Sequence, residues 1–373
     1  MKEEERSVWK QLLFHSITFL VLGCCLMFVV STFHLDITGN RLEETGAYDN
    51  TVSAKEKWKQ EEGSYLQCEK RVDILKKVGK YYIQIRKPQN TNYSVRLEDC
   101  YQEKRVRLYL YGVQRESLSF DDLEVVCQGK NKKRVYECFQ TGTSISYEEQ
   151  SEKKSTAILS FQVDKIYGYC LYEDSKYIYL ACKNPKEVYN KIIVLDAGHG
   201  GKDTGTDAVT GNWPESYYNL DFVKKIEEQW SEKDGKLYIT RWNDKRCSLQ
   251  SRVRFANSVS ADYFISIHCN SSDEAGGSGL EALYKSNQYK EESKQMAQIC
   301  LEELTKATGM TNRGALNGQE IFIIRKAKMP TVLLEMGFLT SREDVIYLQS
   351  EDNRVKMAKT VCNAIKKGMS TIK

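Results

Sequence analysis

From Lys191 onward, the 373-residue chain alternates two kinds of apolar block, and that alternation limits the folds open to it. Short, β-branched runs appear as "IIVLDAG" (Ile192–Gly198), "KLYITR" (Lys236–Arg241), "DYFISIH" (Asp262–His268) and "TVLLEMG" (Thr331–Gly337). Between and after them come stretches of helical period. "NLDFVKKIEEQW" puts Leu220, Val223, Ile226 and Trp230 on one face; "EESKQMAQICLEELTKAT" and "NRVKMAKTVCNAIKK" are further helices. Ser341 and Asp344 have capping-box spacing ahead of a short helix. Strands alternating with helices imply an α/β sheet covered by helices on both faces.

The preceding region, 64–185, is built on a period of two. "RVRLYLYG" (Arg105–Gly112) alternates polar with apolar, and "GYCLY" and "KYIYLAC" flank a turn at "EDSK", as in a hairpin. This predicts a β-rich domain ending at Pro185, with the α/β domain spanning 191–370.

The N-terminal part differs again. Residues 12–33, "LLFHSITFLVLGCCLMFVVSTF", carry no formal charge. At about 1.5 Å per residue a helix of this length reaches about 33 Å, enough for a bilayer core. Signal-peptide apolar regions are shorter, so an uncleaved transmembrane helix is expected. Lys2, Arg6 and Lys10 precede it, and only Arg41 follows closely. The positive-inside rule therefore puts residues 1–11 in the cytoplasm and the rest outside. Residues 34–63 are the linker. "VLGC", ending at Cys24, matches a lipoprotein signal imperfectly, because the apolar run continues past it.

A net charge of +4 and the absence of a dense basic block argue against a nucleic-acid partner. Twelve cysteines contain no CxxC pair, so a cysteine zinc knuckle is unsupported. Outside the cell, the six between Cys68 and Cys182 could form disulfides in fifteen arrangements. The sequence fixes no oligomeric state.

Chemistry concentrates at "VLDAGHGGKDTG" (Val194–Gly205). Asp203 stands where GxGxxG needs glycine, and Asp196 where a P-loop would, so this is no phosphate cradle. The chain has four histidines; His15 and His34 belong to the anchor and its edge, leaving His199 and His268. Both end apolar strands, and in α/β sheets sites gather beyond the carboxyl ends of strands. A catalytic zinc wants two such histidines, a carboxylate and an open position. Spacing leaves Glu215 and Glu281 equal as the carboxylate. Glu335, inside "TVLLEMGFL", is a carboxylate in a buried strand, which is costly unless paired or used. Pairing to Arg313 or Arg252 is its structural alternative; as a general base it would activate a water.

In order, "IIVLDAGHGGKDTGT", Glu215 ahead of "NL", "SLQSRVRFAN", "ADYFISIHCNSS", "GGSGLEALY", "NRGA" and "MPTVLLEMGFLTS" resemble the zinc-dependent N-acetylmuramoyl-L-alanine amidases of bacterial cell walls. The resemblance covers roughly 191–367. It implies a mixed six-stranded sheet flanked by helices and one zinc ion on His199, Glu215 and His268. It also implies Glu335 as catalytic residue, Arg313 as a substrate holder and peptidoglycan as the partner. The implied reaction cleaves the amide between the muramic acid lactyl group and L-alanine of the stem peptide. Asn212 to Pro214 depart from the family's glycine-rich approach to the ligand glutamate, and Cys269 replaces a small residue. The middle region faintly resembles wall-targeting AMIN-type domains. Rival readings are a non-catalytic wall-binding or regulatory protein on this fold, a spore-cortex or septal amidase, and a zinc carboxypeptidase acting elsewhere on the stem peptide.

Overall fold

The computed structural model describes residues 68–88, 92–127, 131–134, 143–151, 154–211, 213–272 and 277–372. The expected anchor at 12–33, its flanking segments and Asn212 lie outside these residues. Among the described residues, no helix is long and apolar enough to cross a membrane.

The first part is a sandwich of two antiparallel sheets. Its strands are β1 (Tyr81–Arg86), β2 (Ser94–Cys100), β3 (Arg105–Val113), β4 (Leu123–Cys127), β5 (Asn131–Arg134), β6 (Ser144–Ser151), β7 (Lys154–Gln162), β8 (Gly168–Glu173) and β9 (Tyr177–Lys183). One sheet runs β5-β4-β1-β9-β8 and the other β2-β3-β7-β6. The alternation in "RVRLYLYG" becomes a buried row of Val106, Leu108 and Leu110 on β3. They meet Ile83, Ile85, Ile178 and Leu180 from the other sheet. Successive strand side chains point to opposite faces, so a period of two builds one dry face per sheet.

A one-turn helix, Pro185–Val188, follows, capped by the Asn184 side chain on the Lys186 N–H. The second part then begins. Its strands are β10 (Ile192–Ala197), β11 (Lys236–Ile239), β12 (Tyr263–Asn270), β13 (Leu280–Tyr284), β14 (Asn312–Asn317) and β15 (Thr331–Phe338), in the order β11-β10-β12-β15-β13-β14. β11, β10, β12 and β15 are mutually parallel. β13 pairs antiparallel to β15 and parallel to β14, so the sheet is mixed. Both faces are covered. Ile193, Leu195, Ile265 and Ile267 pack under helices Glu215–Gln229, Lys290–Thr308 and Glu351–Thr371. Ile192, Val194 and Phe264 turn to the other face, under helices Leu249–Ser258 and Phe322–Lys326. Val223 and Ile226 of the expected helical face are fully buried, whereas Leu220 and Trp230 pack at the margin of the core.

The sandwich is docked against the outermost parallel strand. The Tyr101 hydroxyl accepts a 2.8 Å hydrogen bond from the Ile239 N–H of β11, and its ring meets Tyr238 edge-on at 4.7 Å. Lys236 of β11 pairs with Asp99 at 3.0 Å, both largely buried. An edge strand leaves backbone donors unpaired, and Tyr101 closes one of them. The two parts fall within one compact unit, Gly63–Lys373.

Candidate metal and hydrolytic site

The site forms where β10, β12 and β15 end. After Ala197 the chain turns back at once: the Gly200 N–H donates to the Asp203 carbonyl at 2.7 Å. Gly200 has φ +128°, which a side chain would not tolerate, and His199 itself takes φ +59°. Gly198 is needed for a different reason: a Cβ there would fall onto the His268 imidazole.

Two buried arginines hold this turn. Arg241 donates from Nε to the Ala197 carbonyl (2.9 Å) and from an Nη to those of Gly198 (2.7 Å) and Ser216 (2.8 Å). Arg252 donates to the carbonyls of Ala197 and His199 and to Asp196, each at 2.5 Å. Asp196, fully buried, also accepts from Ser266 (2.6 Å) and Thr240 (2.5 Å). Burial alone would raise the Asp196 pKa; Arg252 and the two hydroxyls outweigh it and hold it below the ordinary carboxylate range. Arg252 is thus committed to Asp196, not to Glu335.

Glu215 opens the helix Glu215–Gln229, where the helix dipole favours an anion. One oxygen lies 2.8 Å from His268 Nδ1 and the other 3.2 Å from His199 Nε2. Asn219, one turn on, and the Cys269 N–H also donate to it, both at 3.3 Å. Burial would raise its pKa, but the two histidines hold it well below the usual range. The other ring nitrogen of His199 faces Asp203 at 2.7 Å. Burial would lower the His199 pKa; Glu215 and Asp203 instead push it up to about 9.

His199, Glu215 and His268 offer ligand atoms all within 4.8 Å of one another, the one such group among the described residues. Two imidazoles and a carboxylate suit zinc. The carboxylates of Glu215 and Asp203 beside the two imidazoles make the pocket one that favours a cation. Asp203 occupies the position from which a carboxylate would orient the His199 imidazole towards a metal. Glu281, equal to Glu215 by spacing, lies outside this group.

Glu335 sits opposite His268 in the β12–β15 register and opposite Glu281 in the β13–β15 register. Its Oε2 is buried and has no hydrogen-bond partner among the described residues. Burial, with the nearby Glu215 and Glu281 charges adding and the histidines opposing, pushes its pKa up to about 7. Neither expected structural partner reaches it: Arg313 pairs with Glu281 (Nε to Oε2, 3.5 Å) and lies over the Phe338 ring. Cys269 is buried in the core, its thiol pKa raised far by burial. Ser341 caps the Asp344 N–H at 3.3 Å, but the Asp344 carboxylate does not complete the box. It accepts instead from Gly279 and Phe338, both at 2.8 Å, and so ties the glycine-rich loop to the end of β15.

Residues 193–367 match the family described as N-acetylmuramoyl-L-alanine amidase. Uncharacterized protein YqiI of Bacillus subtilis (strain 168) is 32% identical over 178 residues, 48% of this chain and 84% of that one. The chain belongs to this amidase family. N-acetylmuramoyl-L-alanine amidase LytC of the same organism is 32% identical over 179 residues, but this chain spans only 35% of LytC's length. An N-acetylmuramoyl-L-alanine amidase from Clostridium difficile 630 has a crystal structure that aligns with 49% of this chain and 98% of its own. The identity is 28% and the TM-score 0.47.

Sequence pattern alone does not place Asp203, Asp196, Arg241 and Asp344 at the site. Asp196 carried a usable signal, an acid inside an apolar strand; Asp203 was visible as a carboxylate four residues from His199.

Proposed function

We propose that this chain is a zinc-dependent N-acetylmuramoyl-L-alanine amidase. It would hydrolyse the amide between the lactyl group of muramic acid and L-alanine of the stem peptide in peptidoglycan. The observation that carries this is the convergence of His199, Glu215 and His268 beside Glu335, whose buried Oε2 has no partner. One zinc ion would be held by the first three. When bound, it supplies Lewis-acid polarisation of the scissile carbonyl and a more acidic water.

Glu335 takes the proton from the attacking water and later delivers it to the leaving amine nitrogen, so its unpaired oxygen faces the chemistry in both steps. Asp203 fixes the His199 ring, and Arg241 and Arg252 fix the backbone that carries it. Residues 12–33 would anchor the protein in the cell membrane as a single span, with residues 1–11 inside. Residues 34–63 would act as linker, and the sandwich at 64–185 would hold the catalytic domain at 191–370 in a set orientation towards the wall.

The test is metal analysis and muropeptide digestion with the full chain. One zinc per chain and stem peptides with new L-alanine amino termini are expected. Glu335→Gln should keep the zinc and lose about 10²–10⁴-fold in rate. Full activity in Glu335→Gln would refute the mechanism. Zinc-free protein that binds muropeptides without cleaving them would instead make it a wall-binding protein.

A further inference from the structure

Trp213 stands where the sequence departs from the family's glycine-rich approach to Glu215. Trp230 and Trp242 are half-buried, and Trp213 alone of the described tryptophans is exposed, at 38%. With Val209, 57% exposed on the same loop, it leaves apolar surface open to water, which marks a contact rather than a fold requirement. The indole is also rigid. Its ring stacks on Tyr217, with centroids 4.6 Å apart and planes 25° apart, and meets Tyr218 edge-on at 6.0 Å. The Arg354 guanidinium carbon lies 5.8 Å from its centroid. Arg354 is fixed in turn by Asp221 (2.6 Å) and by the carbonyls of Leu348 (2.7 Å) and Gln349 (3.0 Å). A side chain held in this way has little freedom left to lose on binding.

Topology puts Trp213 on the rim of the site. β10 and β11 are parallel and the helix Glu215–Gln229 lies between them in the chain, so it runs against the strands and begins at their carboxyl ends. Trp213 is two residues ahead of Glu215, so the two Cα atoms are no more than about 7 Å apart. The loop that carries it is tied to the end of β15, where the Leu339 carbonyl accepts from the Val209 N–H at 2.8 Å. Next to the indole, the Gln349 amide donates to the Thr210 hydroxyl at 2.9 Å. The rim thus offers a neutral amide and a neutral hydroxyl. Its cation, Arg354, is committed to Asp221, and the exposed Asp207, bridged to Pro214, adds negative charge.

That chemistry separates the two halves of a peptidoglycan substrate. A stem peptide carries carboxylates, which the negative charge disfavours. An N-acetylhexosamine is neutral; its ring C–H groups pack on the electron-rich indole, and its hydroxyl and acetamido groups suit Gln349 and Thr210. We propose that Trp213, set by Tyr217 and Arg354, is a specificity residue that binds an N-acetylhexosamine ring of the glycan strand. The proposal rests on the amidase reading above. It predicts a substrate class: stem peptides still attached to glycan strands, recognised through the sugar as well as the peptide.

The full chain should be titrated with the neutral tetramer of N-acetylglucosamine by calorimetry, while the Trp213 indole N–H resonance is followed by NMR. Wild type should bind the tetramer and shift that resonance. Trp213→Ala should weaken tetramer binding by about three- to tenfold, and Trp213→Phe should keep part of it. On glycan-linked muropeptides, Trp213→Ala should raise KM by a similar factor rather than lower kcat. No tetramer binding by wild type, an unmoved indole resonance, or binding unchanged in Trp213→Ala would overturn the proposal. The wild-type resonance decides the matter even where a variant fails to fold. If wild type binds the tetramer through Trp213 but cleaves no muropeptide, the amidase reading fails and the sugar site stands.

Discussion

Replacing Arg252 by methionine removes the charge while roughly keeping the volume, and it isolates what the buried Asp196–Arg252 pair does for the site. Arg252 is 2% exposed and Asp196 fully buried, so water cannot replace the lost partner. Asp196 would keep only Thr240 and Ser266, while the carbonyls of His199 and Cys247 would lose their donor. Breaking a buried ion pair from one side costs about 3–5 kcal/mol, mostly because the other charge is stranded. At about 2–4 °C per kcal/mol for a domain this size, the melting temperature should fall by about 6–20 °C. Adding Asp196→Asn should restore part of that loss, since it neutralises the stranded group. The pH dependence follows from the lowered Asp196 pKa. Its contribution is fully present above the unfolded carboxylate value of about 3.9 and is lost as pH falls through the lower folded value. The gap between wild type and Arg252→Met should therefore shrink in acid. Thermal and urea denaturation at pH 7 and pH 3 measure all of this. A loss under about 1 kcal/mol, or a double variant less stable than Arg252→Met, would refute the stranded-charge argument.

Three further outcomes are expected. Gly198→Ala should weaken zinc binding at least tenfold while the protein still folds, because its Cβ displaces the His268 ring; competition with a chelating dye reads the first and circular dichroism the second. Asp203→Ala should lower zinc affinity about 10–100-fold, the usual effect of losing the group that orients a ligating imidazole, and the same titration would show an unchanged affinity if Asp203 only braces the turn. Tyr101→Phe leaves the Ile239 N–H without its acceptor and should cost about 1–3 kcal/mol, with faster hydrogen exchange at that amide as the local signature.

The three inner parallel strands are legible because burial on both faces forces continuous apolar runs: β10 is buried throughout, and β12 and β15 nearly so. β13 and β14 were not read from the residues. β14, "NRGALN", is a largely exposed edge strand whose place is set by pairing, not by a pattern of its own. The helix Leu249–Ser258 was obscured for a functional reason. Its buried face is Arg252, Val253 and Ala256, with an arginine where periodicity looks for an apolar residue.

Asp196 and Glu335 show where reading the site from sequence stops. Each is an acid inside a buried, β-branched strand, and such an acid is either paired or used. Asp196 meets three donors from Thr240, Arg252 and Ser266, and its pKa falls; Glu335 Oε2 meets none, and its pKa rises. The difference lies in side chains brought by three other segments, 44, 56 and 70 positions from Asp196. No local pattern around either acid encodes those partners. The strand run marks both as consequential, and only the assembled sheet separates the acid that holds the turn from the acid whose Oε2 has no partner among the described residues.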